Sequence, residues 1–153
     1  MKLRDIKNLP VFYQDKAELI GSVEKAAIGD DYKLAYIVVD IPQRVPGMII
    51  RNDFQLTEGS IILHDLESIK SYAHGEELSI YEQKLGDKVF DSEGKELGVV
   101  SDFIVATESK EVWGVEVSAG IIPDLLEGRS EISLKDLKWK SNKGIILQNE
   151  GSG

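Results

Sequence analysis

The stretch Pro10-Val11-Phe12-Tyr13-Gln14-Asp15-Lys16-Ala17-Glu18-Leu19-Ile20-Gly21-Ser22-Val23 returns as Lys88-Val89-Phe90-Asp91-Ser92-Glu93-Gly94-Lys95-Glu96-Leu97-Gly98-Val99-Val100. Val-Phe, a polar turn, Glu-Leu and a glycine recur in order, one residue shorter the second time. A repeat of this kind constrains architecture more than any single motif, because two copies of one small unit must each fold in the same way. The 153-residue chain then divides into a first copy over residues 1–80 and a second over 81–150, with 151–153 as a flexible tail.

Strand signals dominate both copies. Val11-Phe12-Tyr13 and Leu19 to Val23 flank a polar turn and read as a hairpin, and Gly94 supplies a positive φ at the matching turn of the second copy. Val99 to Ala106 reads as a strand, with Val23 to Ile28 as its partner in the first copy. Leu34 to Ile41 pairs in pattern with Val112 to Val117, where Trp113, Val115 and Val117 alternate against Val112, Gly114 and Glu116 and predict one buried face. Trp113 aligns with Tyr36 and is expected in the core or at its rim. Ile61 to Leu66 is matched with Ile132 to Leu137, and Glu77 to Ile80 with Gly144 to Leu147 as a closing strand. Gly21 and Gly98 are placed at a bulge or where one backbone passes close to another. Five or six short strands per copy and no long helix predict an all-β, mainly antiparallel protein: two small tandem barrels with short helical turns.

The order Val-Phe, polar turn, Glu-Leu-(Ile)-Gly, then a β-run and an Ile-x-Leu-x-Asp-Leu element resembles the PRC-barrel family. Pro10 to Gly21 and Ile61 to Leu66 carry the likeness in the first copy, Lys88 to Gly98 and Ile132 to Leu137 in the second. The family is named for the cytoplasmic domain of the photosynthetic reaction-centre H subunit, and it also supplies the C-terminal domain of a ribosome-maturation factor. The resemblance implies a small barrel per copy in a family that mostly binds or scaffolds other proteins, with tandem versions found as stand-alone bacterial proteins. The first copy departs from the pattern with Lys16-Ala17 where glycine is common and with an extra loop, Pro42 to Gly47.

Charge and composition limit the partners. Lys and Arg total 18 against 27 Asp and Glu, a net charge of −9 shared by both copies. Tracking phosphates needs clustered Lys and Arg, so nucleic acid is not the expected partner, and an anionic membrane repels such a chain. There are no cysteines, which removes disulfides and thiolate chemistry, and no apolar run is long enough to cross a bilayer. A cytoplasmic location without membrane insertion is the expectation.

Reactive constellations are scarce. His64 and His74 are the two histidines, ten residues apart rather than at the i, i+4 spacing of a helical metal pair. Ser60, Ser68, Ser71 and Ser79 sit near them without a nucleophile elbow, and no glycine-rich phosphate loop is present. No catalytic residue, metal ligand or cofactor is therefore assigned, and a non-enzymatic protein is expected. The candidate surface is apolar: Val45, Met48 and Ile49 in the first copy, with Ile121, Ile122, Leu125 and Leu126 after the equivalent strand of the second. Those residues either bury one another between the copies or stay exposed for a protein partner. Trp139, between Lys138 and Lys140, reads as a solvated turn. The leading expectation is a protein-interaction scaffold, with a homodimer possible; an RNA- or ribosome-associated assembly factor and a small-molecule or metal-responsive binding domain are the alternatives.

Overall fold

Residues 1–14, 18–72, 80–119, 129–140 and 143–146 are described by a computed structural model. The chain forms two compact units, Met1–Ile80 with Val105–Glu111, and Tyr81–Ile104 with Val112–Gly153. Residues 105–111 are held by the first unit, although the chain on both sides of them belongs to the second.

The first unit opens with a short helix, α1 (Leu3–Ile6), which buries Leu3 and Ile6. Strands β1 (Pro10–Tyr13), β2 (Glu18–Ile28), β3 (Leu34–Asp40), β4 (Gly47–Ile50), β5 (Phe54–Leu56), β6 (Ile61–Leu63) and β7 (Lys70–Ser71) follow. They form one sheet in the order β5-β6-β1-β2-β3-β4-β7. From Tyr81 the second unit takes up α2 (Ile80–Lys84), followed by β8 (Lys88–Phe90), β9 (Glu96–Val105, its last residue counted with the first unit), β10 (Val112–Ser118), β11 (Arg129–Ser133), β12 (Leu137–Lys140) and β13 (Lys143–Ile146). Its sheet runs β12-β13-β8-β9-β10-β11. Strand for strand, this is the order of the first sheet without β7.

Pairing is mostly antiparallel, but β1 runs parallel to β6 and β8 parallel to β13. Both sheets are mixed and curled into half-barrels. The likeness extends to irregularities. Asn8 N–H donates to the Val23 carbonyl and Val23 N–H to Leu9; Gly86 and Asp87 repeat this exchange with Val100. Asn8 and Gly86 both take positive φ, at 76° and 90°.

Gly21 and Gly98 show why the glycine recurs. Each lies opposite the valine of its Val-Phe strand, at a bulge between Val11 and Phe12 or between Val89 and Phe90. A Cβ on Gly21 would fall on the Asp40 carbonyl oxygen, and one on Gly98 on that of Ser118. These carbonyls end β3 and β10, so both sheets need a bare backbone at this point to curl.

Three expectations change. Ile132 to Leu137 is equivalent not to Ile61–Leu66 but to Ile49–Phe54, because β11, the 3-10 turn Leu134–Asp136 and β12 repeat β4, the 3-10 turn Arg51–Asp53 and β5. An isoleucine followed four residues on by Asp and a large apolar residue occurs at both places, Ile49-Asp53-Phe54 and Ile132-Asp136-Leu137, and the sequence match slipped to a look-alike. The strand equivalent to β13 is β6, while Ile80 belongs to α2 and 77–79 lie outside the described residues. Third, Trp113 is 43% exposed, and on the same strand Glu116 is buried with Val115 and Val117. β10 is therefore covered on both faces beyond Gly114, and the alternation that predicted one buried face does not hold. Ser101 Oγ donates to Glu116 Oε1 at 2.7 Å, one of the bonds that let a carboxylate sit there.

Candidate functional site

The most distinctive surface lies on the first unit, where three segments meet around a groove of about 460 Å³ lined by Glu18, Leu19, Ile20, Ile41, Pro42, Arg44, Leu66 and Ile69. The bulge in β2 supplies one wall. Val11 pairs with Gly21 and Phe12 with Leu19, leaving Ile20 as the extra residue. In a regular strand neighbouring side chains point to opposite faces; the inserted residue breaks that rule and lets Leu19 and Ile20 line the same groove.

The loop after β3 supplies Ile41, Pro42 and Arg44. The remaining wall comes from a 3-10 turn, Leu66–Ser68, capped by Asp65, whose carboxylate accepts the Glu67 N–H at 2.9 Å. The cap holds the turn so that Leu66 faces outward, 44% exposed. Ile69 packs over Gly47, where any Cβ would collide with it. Leu19 is 63% exposed at the groove and Val45, beside Arg44 in the loop, 73%. Glu18 and Arg44 are the charged members of the lining.

The second unit treats the same place differently. Phe90 pairs with Glu96 where Phe12 pairs with Leu19. Glu96 there faces solvent and forms an ion pair with Lys88 at 3.9 Å. Leaving a leucine in water while its counterpart is a solvated glutamate is not needed for the fold, since the same bulge forms with either residue.

Of the residues singled out in sequence, Val45 is on the surface of the loop. Met48 is half-buried on β4 and Ile49 is fully buried, opposite Ile37 of β3. Ile49 is therefore a core residue. Ile121, Ile122, Leu125 and Leu126 lie outside the described residues. Leu19 and Leu66, exposed large apolar members of the groove lining, were missed; at the place of Leu19 the second unit has Glu96, which the Glu-Leu match in sequence conceals.

His64 is exposed, and His74 lies outside the described residues. Among the described residues no group of three His, Asp or Glu side chains is arranged to hold a metal ion. No helix among them is long and apolar enough to cross a membrane. On the second unit, Lys84 lies 4.7 Å over the Trp139 ring, so that tryptophan stacks on a lysine of α2.

Among the described residues of the second unit, Asp87 is a polar anomaly. One of its carboxylate oxygens is buried without a hydrogen-bond partner. Burial pushes its carboxyl above the usual carboxylate range, and Lys84 partly offsets this. The folded chain therefore takes up a proton before the unfolded one does. Stability falls as pH climbs through the raised pKa and is regained on acidification toward the ordinary value of 3.8. The first unit has Leu9 at the equivalent position. Asp87→Leu is expected to stabilise the second unit by roughly 1 kcal/mol at neutral pH, a gain of about 4–8 °C in melting temperature. That advantage shrinks as the pH is lowered toward 4; a thermal melt at pH 7 and at pH 4 checks both statements.

The chain matches no curated protein. Residues 80–152, which hold the repeated Val-Phe and Glu-Leu-x elements of the second unit, match the model of the PRC-barrel domain family.

Proposed function

We propose that this protein is a non-enzymatic protein-interaction module made of two PRC-barrel-type units, the first of which captures a partner through its apolar groove. The observation that carries this reading is the exposed Leu19 at a place where the matching residue of the second unit, Glu96, is charged and ion-paired. Apolar side chains around a concave surface, with Glu18 and Arg44 at its polar positions, have the composition of a docking site with an apolar centre and a polar rim. The net charge of −9 argues against a nucleic-acid partner.

Leu19→Glu installs the residue already used at the equivalent bulge, and Leu66→Glu alters a half-exposed turn position, so both are expected to leave the melting temperature nearly unchanged. Partner affinity should fall by about 10- to 100-fold for each change, the usual cost of removing a large apolar anchor. Affinity capture from the native cell extract, compared between wild type and each variant, reads this. A partner retained equally by all three proteins, or none retained by wild type, contradicts the proposal.

A further inference from the structure

Residues 105–111 belong to the first unit, although the strands on either side of them, β9 and β10, continue in the second. Several bonds hold this segment in place. The Met1 amino group donates to the Val105 carbonyl at 2.9 Å, and Val105 N–H returns to the Met1 carbonyl at 2.7 Å. Glu111 forms a β-bridge with Lys33, and their side chains pair at 3.7 Å.

The centre of the attachment is a closed cycle of three residues. Leu34 N–H donates to the Lys110 carbonyl at 2.8 Å. The Leu34 carbonyl accepts from Arg51 Nη1 at 3.4 Å, and the Arg51 carbonyl accepts from Lys110 Nζ at 2.6 Å. Lys110 Nζ also donates to the Phe54 carbonyl and lies 4.4 Å over the Phe54 ring. Burial and the Arg51 guanidinium push its ammonium below the usual lysine range, with Asp53 countering. Lys110 has φ 63°, a left-handed conformation that a non-glycine residue keeps only when its surroundings hold it there.

Phe54 begins β5, an edge strand of the first sheet. Edge strands carry unpaired backbone groups that recruit other chains unless something covers them. Here a lysine carbon chain and ammonium cover the Phe54 carbonyl, beside a pocket of about 270 Å³ lined by Phe54, Gln55, Leu56, Thr107, Glu108 and Lys110.

We propose that residues 105–111 act as a detachable clasp on the first unit, fastened by Lys110, which shields the β5 edge when closed and opens it when released. Apart from the buried Val105, the attachment is made of a few polar bonds, whereas β9 and β10 are ladder-paired to β8 and β11. Release therefore needs less than unfolding of either sheet.

Native-state hydrogen exchange on the full chain tests this. In wild type, the amides of Leu34 and Val105 should open together, at least 10-fold more often than those of Val23 and Ile37 in the sheet. Exchange of all four only in one global event overturns the proposal. In Lys110→Met, which keeps the apolar stem but loses the donors, opening at Leu34 and Val105 should rise a further 10-fold or more. Amides of β8 and of β9 before Val105 should not change, and Lys110→Arg should stay near wild type. Unchanged exchange in Lys110→Met, or an equal rise in both units, also overturns the proposal.

Discussion

Ile49→Asp is expected to unfold the first unit, whereas Val45→Asp, four residues earlier, should leave it intact. Both residues sit in the apolar stretch that the sequence offers as a surface, but β4 turns Ile49 inward. It has no exposed area and lies opposite Ile37, which is equally buried. A carboxylate there would be taken wholly out of water. Burying it costs several kcal/mol, a large share of the 5–15 kcal/mol that holds a typical domain together. Val45 projects from the loop, where a charge changes stability by about 0.5 kcal/mol or less. Circular dichroism melts of the two variants separate the cases. Equal melting temperatures would mean that Ile49 is not in the core.

Gly98→Ala and Gly21→Ala carry the next largest effects. The added methyl has no flexible side chain to displace, because the atom it meets is a backbone carbonyl oxygen ending the third strand of each sheet. Gly98 is affected more, since its φ of 151° is also one that L-residues rarely adopt. Overpacking of this kind costs about 1–3 kcal/mol, on the order of 10 °C for a unit of this size. Gly59→Ala is the matched control, for nothing lies within 4 Å of a Cβ built there. Scanning calorimetry should place the Gly21 and Gly98 variants well below wild type and the Gly59 variant beside it. A Gly98→Ala protein that melts with the control would remove the close strand approach from the account.

The contrast between these residues shows what the sequence could and could not convey. The Val-Phe strand and the glycine after the turn were legible because each answers to a backbone demand, a bulge or a glycine under a carbonyl; the Glu-Leu match is one residue out of register, since Leu19 stands where Glu96 does. The same demands recur in the second sheet and wrote the same letters there. Beyond β3 the demands relax. One isoleucine and one aspartate suffice for the strand and 3-10 turn that follow, so Ile61–Leu66 looked like the partner of Ile132–Leu137 when Ile49–Phe54 was.

Burial of charge was hidden for a related reason. Glu116 reads as a solvent-facing residue in an alternating strand, and only the hydroxyl of Ser101, fifteen residues away, shows part of how it is accommodated. The groove was hidden because exposure of Leu19 depends on a one-residue bulge, which shifts facing without changing composition. The attachment of residues 105–111 to the first unit rests on Lys110, Leu34 and Arg51, which are far apart in sequence and carry no motif.

Leu19 is expected to contact another protein, and Glu96, its counterpart, is not. A photo-reactive residue placed at position 19, and in a separate chain at position 96, tests this directly in extract of the native cell. The expected result is a discrete cross-linked protein from position 19 alone, lost when excess unlabelled wild type is added and retained with excess Leu19→Glu chain. Cross-linking that is absent at position 19, or the same at both positions, would contradict it.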